Sequence, residues 1–363
     1  MTLRYLFICI ISLLTFFSCN DSGTKQSKLH IYVDERMELL TTVQYLSDYF
    51  LITKADISYK KDIDKYFDKF KTHPIISLTK GVISEGWFNG SSAPWYLYQF
   101  SFPDFKTIGK ITNEENQIEE YETRRDTLEL IKKQLYDFYV KSNFHKFYED
   151  HKTYYDIITA PVVKKLMEQD IISILERHYG ETNFSYNIVL TPLLHDGGFG
   201  ASVNSQKGRE IYGIIGPKHD SKQIPDFNID EILQYYVLHE FSHAFCNPII
   251  HKYFPQLEKD SCLIRPIFDE QNKQGYGGDW ETCLYEHLVR ANEVVLCKIV
   301  LGQQEADKIY KKYYEDRKWI YLKGLVPIIE TVYLTDRQTY KTQYDLIPKI
   351  LDYFDEEKNK NCQ

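Results

Sequence analysis

Cysteine is sparse in this chain, with 7 in 363 residues and no C-x-x-C pair. Setting aside Cys9 and Cys19 near the N-terminus leaves Cys246, Cys262, Cys283, Cys297 and Cys362, an odd number. That count argues against a disulfide framework and leaves room for one bridge in an oxidising compartment. A basic excess is also missing. Lys and Arg total 44 against 52 Asp and Glu, a net charge of −8 with the lysines dispersed. Such a balance offers no nucleic-acid footprint, so no nucleic-acid partner is expected. No repeat period is visible, and no linker divides the chain after residue 30. Asp196-Gly197-Gly198-Phe199-Gly200 is glycine-rich, but no Lys-Ser/Thr follows to make a phosphate loop. Aromatic residues, by contrast, are plentiful at 15 %, with 30 Tyr, enough for an aromatic-rich core.

The first 18 residues read as an export signal. Arg4 supplies the positive start, and Tyr5 to Leu14 form an apolar run too short to span a membrane. Phe16-Phe17-Ser18-Cys19 resembles a bacterial lipobox, with bulkier residues than usual before the Ser. Cleavage before Cys19 and lipidation of its thiol would make an exported lipoprotein, anchored to a membrane in the periplasm or at the cell surface; ordinary secretion is the alternative. Residues 19–29 are small and polar, a flexible tether. Residues 30–182 read as a mainly helical N-terminal subdomain, and 183–363 as a catalytic subdomain with a helical C-terminal end. Helical patterns run from Glu35 to Phe50, Asp62 to Phe70 and Thr127 to Tyr148, the second broken at His73-Pro74. Thr159-Ala160-Pro161 opens a further helix that closes at Gly180. Ile75 to Phe105, with Trp87, Phe88, Trp95, Tyr96 and Tyr98, reads as loops and short strands over the core, or as the wall of a cleft or a stacking platform for sugars. Phe184 to Leu190 and Glu210 to Ile215 read as strands joined through the glycine-rich turn.

The chemically specific stretch is Val237-Leu238-His239-Glu240-Phe241-Ser242-His243-Ala244-Phe245, which contains H-E-x-x-H. Asn228 and Glu231 form a capping-box pattern, and Asn247-Pro248 marks a stop, so a buried helix is expected between them. On it His239 and His243 lie one turn apart and can share a tetrahedral Zn²⁺, with Glu240 placed to accept a proton from water. No third His completes a metzincin pattern, since Cys246 and Asn247 follow. The third ligand is sought in the helix expected over Asp279 to Leu301. Glu286 and Glu293 are seven residues apart and share a face; Arg290, one turn from Glu286, can hold its carboxylate. Glu286 is the first choice. Glu293 is the alternative, or else the partner of a ligating His. Tyr276, His287 and Arg290 are candidates for stabilising an oxyanion.

Three stretches carry a family resemblance: Asp34-Glu35-Arg36-Met37-Glu38-Leu39-Leu40, the H-E-x-x-H block with Asn247-Pro248, and Tyr285-Glu286-His287-Leu288-Val289-Arg290-Ala291. The chain resembles, from about residue 30 to its C-terminal region, a family of secreted bacterial proteins known as a domain of unknown function with gluzincin-like features. The resemblance implies a zinc peptidase and adds weight to Glu286. The reading is therefore an α+β, zincin-like protein, mostly helical with a small sheet beside the active-site helix. It would hydrolyse peptide or protein substrates. The competitors are a catalytically silent surface-binding lipoprotein and a zinc hydrolase of a non-peptide amide; an intact Glu240 argues against the first, because zinc binding alone does not need it.

Metabolic labelling with a fatty-acid analogue should mark the wild-type protein and not Cys19→Ser. A labelled mutant, or a mature protein that keeps its first 18 residues, would refute lipidation.

Overall fold

The computed structural model describes residues 28–88, 90–108, 121–167, 170–276 and 278–362. The export signal, Cys19 and the tether up to residue 27 lie outside these, as does the side chain of Glu231. Short runs of β-branched and aromatic residues become a four-stranded sheet. Its strands are β1 (Leu29–Tyr32), β2 (Ser185–Leu190), β3 (Gly198–Ser205) and β4 (Gly208–Ile215), in the order β1-β2-β4-β3. β2 is buried along its whole length, as a central parallel strand covered on both faces should be. β1 and β4 flank it in parallel, with Leu29 opposite Tyr186 and Ser185 opposite Glu210. β3 runs antiparallel to β4, Gly200 facing Gly213, and forms one edge. The sheet thus joins a strand from the N-terminal half to three from the C-terminal half.

Helices make up most of the rest, so the protein is α+β and mostly helical. α1 (Glu35–Leu46) starts where the Asp34 carboxylate accepts from the backbone N–H of Arg36 and Met37, at 2.8 and 3.1 Å. α2 (Tyr59–Phe67), α3 (Pro74–Ser84) and α4 (Ser92–Tyr98) follow. His73-Pro74 opens α3 rather than ending a helix. The His73 ring accepts from Ile75 N–H, and Pro74 takes a first-turn position where its missing N–H costs nothing. The stretch from Ile75 to Phe105 is thus largely helical. Trp87, Phe88, Trp95, Tyr96 and Tyr98 are buried core residues, not a stacking platform.

The pattern from Thr127 to Tyr148 divides into α5 (Arg125–Ser142) and α6 (Phe144–Asp150), because Asn143 adopts a left-handed conformation between them. α7 (Lys152–Met167) runs through Pro161 instead of beginning there; its buried Tyr155, Ile158, Val162 and Leu166 hold the turn together. α8 (Ile171–Tyr179) is separate, and ends at Gly180 with φ +73°. Among the described residues no helix is long and apolar enough to cross a membrane. Cys262 and Cys362 form a disulfide, while Cys246, Cys283 and Cys297 are free and buried.

One carboxyl in this helical half is out of place. Glu38 on α1 is fully buried. Its Oε2 accepts from Tyr59 OH at 2.6 Å, and that hydroxyl lies 2.7 Å from Tyr155 OH, while Oε1 has no hydrogen-bond partner. Burial pushes the carboxyl up to about 8 from an ordinary 4.5. The folded state therefore keeps a proton that the unfolded chain has lost, and stability falls as pH rises from about 4.5 to about 8. Denaturant titrations across that range should show a shallower decline for Glu38→Gln than for the wild type; equal pH profiles would refute a protonated Glu38.

Candidate metal centre

The segment carrying H-E-x-x-H is helical, but differs at both ends from its sequence expectation. Asn228 does not cap it. Its own N–H is tied to Asp226 Oδ1 at 2.8 Å, its φ is +43°, and its side chain makes no capping bond. A short turn, Ile229–Glu231, leads into a π-helical stretch, Ile232–Glu240, which becomes α9 (Phe241–Leu257). π-Helical turns recur at functional sites, and this one ends inside the motif. At the far end Pro248 does not stop the helix; it sits within α9. Proline removes the donor that Ala244 C=O would have used. Arg209 Nη1, reaching over from β4, donates to that carbonyl instead.

α10 (Trp280–Leu301) starts at Asp279, whose side chain accepts from Thr282 N–H at 2.7 Å. It is buried from Trp280 to Cys297 apart from Thr282, and packs against α9. The spacing of Glu286, Arg290 and Glu293 brings all three to the H-E-x-x-H segment.

His239, His243 and Glu286 gather into one cluster, each offering a ligand atom within 4.8 Å of the others. The two Nε2 atoms face each other at 3.2 Å. Glu286 Oε1 lies 3.5 Å from His243 Nε2, and its Oε2 3.8 Å from His239 Nε2. The opposite ring nitrogens are held by acceptors: His239 Nδ1 lies 2.9 Å from Glu293 Oε2, and His243 Nδ1 3.1 Å from Asn247 Oδ1. Arg290 Nη1 is also 3.4 Å from His239 Nδ1, but the shorter carboxylate contact decides the tautomer. Both imidazoles then donate from Nδ1 and aim Nε2 lone pairs at the same point as a carboxylate. Three facing lone-pair donors repel unless a cation lies between them. A tetrahedral ion with ~2.0–2.1 Å bonds has ligand-to-ligand edges of about 3.3 Å, close to the separations here. The donor set is one that could hold a metal ion.

Charge around the cluster follows from burial and from Arg290. Burial, then the Arg290 and His243 charges, holds the His239 imidazole well below its ordinary range, so it stays neutral. Burial raises the Glu286 carboxyl, but Arg290 and the two imidazoles outweigh it and hold it below the ordinary value. Arg290 Nη2 lies 2.8 Å from Glu286 Oε2 and donates to Tyr276 OH at 2.7 Å. Its guanidinium is packed among the rings of Tyr276, Tyr313 and Trp319. Glu293 is not in the ligand cluster. It lies under His239 with Tyr313 OH donating to its two oxygens at 2.9 and 3.0 Å; burial raises its carboxyl, while Arg290 and the Tyr313 hydrogen bond oppose that rise.

A cleft of about 430 Å³ opens over the cluster, between β3 (Gly198 to Ser202) and Tyr276, with Gly90 and Ser91 at its rim. Glu240 lines it, and burial raises its carboxyl to about 7. The glycine-rich stretch expected to be a turn instead forms the start of edge strand β3, and the hairpin reverses at 206–207. At Gly200 a Cβ would stand 3.1 Å from Glu240 Oε2, so the glycine lets the strand approach that carboxylate. Of the oxyanion candidates, Tyr276 lines the cleft and Arg290 is committed to Glu286. His287 is excluded: it is fully buried against Trp319 and Tyr321, with Nδ1 on Cys283 C=O at 2.8 Å.

Three residues of the site escaped the sequence reading. Asn247 stands at helical spacing from His243 and would have been found had the helix been continued through Pro248. Tyr313, which donates to Glu293, and Arg317, whose Nη2 lies 3.4 Å from Tyr276 OH, belong to a segment with no motif.

These elements define a mostly helical α+β protein in which two packed helices bring together a His-His-Glu cluster able to hold a metal ion. The chain belongs to the family described as Domain of unknown function (DUF4932), which matches residues 29–353. Comparison with curated proteins and with solved structures gives no match.

In a chelator competition titration, Glu286→Ala should yield metal-free protein at ordinary zinc concentrations. Glu293→Ala should keep the metal with affinity lowered about 10–100-fold, the usual cost of losing a ligand's hydrogen-bond partner. The reverse ranking would make Glu293 the ligand.

Proposed function

We propose that this protein is a zinc-dependent metallopeptidase of the zincin type, gluzincin-like in taking Glu286 as third ligand, and that it acts outside the cytoplasm. One observation carries the reading: the Glu240 carboxylate lines the cleft beside a converging His-His-Glu trio, directly beneath a glycine-bearing sheet edge. A structural metal would need the trio but neither Glu240 nor an open cleft. Bound there, zinc would supply Lewis acidity toward a water and a carbonyl oxygen.

The chain's own residues do the rest. An extended peptide adds to the open edge of β3 through backbone hydrogen bonds, with Gly200 keeping the strand close to Glu240. Glu240 takes the proton of the attacking water on a carboxylate oxygen and delivers it to the leaving amine nitrogen. Tyr276 OH accepts from Arg290, so its own hydrogen is left to donate to the developing oxyanion. Arg290 and Glu293 act on the ligands, orienting Glu286 and His239.

Export and membrane anchoring through Cys19 belong to the same proposal. The Cys262–Cys362 disulfide supports it, since such bonds persist in oxidising compartments.

Glu240→Gln is the decisive variant. The amide is nearly isosteric but cannot serve as a base. Peptide-library digestion should show turnover reduced by 10²–10⁴-fold or more, roughly the weight of a lone general base, with stoichiometric zinc retained. Loss of zinc, or near-normal rates, would overturn the role given to Glu240.

A further inference from the structure

Beyond the trio lies a second lobe of the cleft, about 440 Å³, which shares Gly198, His239, Glu240 and Tyr276 with the first. Its remaining wall is rich in cations: Arg290, Lys312 and Arg317, against Asp196. Lys312 has interactions of its own, and two more of these charges are already matched. Arg290 is paired with Glu286 at 2.8 Å, and Asp196 accepts from both the backbone N–H and Nδ1 of His219. Arg317 is different. It is half-buried, and its partners are neutral: Nε donates to Gln274 Oε1 at 2.6 Å, Nη2 lies 3.4 Å from Tyr276 OH, and the rings of Tyr276 and Tyr313 flank it. Among the described residues no carboxylate forms an ion pair with it. The guanidinium is half-buried in the lobe wall, and its fork matches a carboxylate bidentately.

The sheet edge sets which side of a substrate would reach this lobe. Gly198 lines both lobes, whereas Ser202 lines only the first. Antiparallel pairing is the more stable geometry per residue. A peptide so paired with β3 runs from beside Ser202 toward Gly198 in its N-to-C direction, past the trio and into the second lobe. We propose that this lobe is a carboxylate subsite, with Arg317 as its recognition residue, for a substrate bearing an anionic group on the C-terminal side of the scissile bond. The proposal rests on the peptidase reading and deepens it. The carboxylate is either the α-carboxylate of a chain end or an Asp or Glu side chain; the chemistry of recognition is the same.

Equilibrium binding separates these and needs no catalysis. Isothermal titration of the chelated, metal-free protein uses two matched ligand pairs: N-acetyl-Phe-Ala as free acid against its amide, and N-acetyl-Phe-Asp-amide against N-acetyl-Phe-Asn-amide. The carboxylate member of at least one pair should bind about 10–100-fold tighter, as expected for hydrogen bonds to a charged group. Discrimination in the first pair assigns a chain end, and in the second an acidic side chain. Arg317→Gln should bring the ratio close to one while leaving the neutral member's affinity unchanged, and Arg317→Lys should restore part of it. Equal binding within both pairs, no binding at millimolar concentration, or an Arg317→Gln that weakens both members alike would overturn the subsite. The last result would mean that Arg317 only braces Gln274 and Tyr276. Absence of peptide turnover in the zinc-loaded wild type counts against the peptidase reading alone, because these titrations register binding whether or not chemistry follows.

Discussion

Two imidazole nitrogens facing each other at 3.2 Å, with a carboxylate oxygen 3.5 Å from one of them, are the constraint on which the rest of this structure depends. Such an arrangement is unfavourable in a buried place unless each group is held from behind. The protein supplies those holds individually. Glu293 and Asn247 engage the far nitrogens of the two rings, Arg290 grips Glu286, and Tyr313 donates to Glu293. One helix, α10, delivers three of these groups at spacings of four and seven residues, so its rotation alone places ligand, clamp and ring partner together. This is why α10 can hold Glu286, Arg290 and Glu293 while being buried around nearly its whole girth.

The polypeptide that carries these groups is closed by the Cys262–Cys362 disulfide, whose cysteines are 100 residues apart. Within that loop lie Tyr276, Glu286, Arg290, Glu293, Tyr313 and Arg317. In the chain-entropy account, closing a loop of about 100 residues stabilises by ~4.7 kcal/mol. These six residues thus share one closed loop in the unfolded chain as well as in the folded one, while Asn247 lies outside it. On the other side, β3 approaches closely enough that Gly200 could not carry a side chain without pressing on Glu240. The cleft lies between a sheet edge bound by backbone geometry and a helix bound by charge.

Where local signals and tertiary structure disagree, long-range partners explain the outcome. Pro248 is a helix stop in any local reading, yet α9 continues because Arg209, 35 residues away in the chain toward Ala244, satisfies the carbonyl that the proline orphaned. The Asp196 to Gly200 stretch has turn composition, yet its last three residues pair with β4 and form an edge strand. Trp95, Tyr96 and Tyr98 suggested an exposed platform or irregular cover, but they form a helix pressed into the core.

The sequence by itself determined the α+β class, the helical placement of His239, Glu240 and His243, and the extent of α10, because periodicity and the H-E-x-x-H spacing are local. It also gave Glu286 as first choice, with Glu293 as alternative, to join the two histidines. Tertiary structure groups Glu286 with them and sets Glu293 on the far side of the His239 ring. The two glutamates share a face, and their placement rests on contacts with His239 spanning 54 residues of chain to Glu293 and 47 to Glu286. The same holds for His287, which one turn of sequence places beside the site but whose side chain points into the core, against Trp319 and Tyr321. Arg317 had no local signal at all. Its position comes from how the chain folds back over Tyr276, and no spacing rule reports contacts made over such distances.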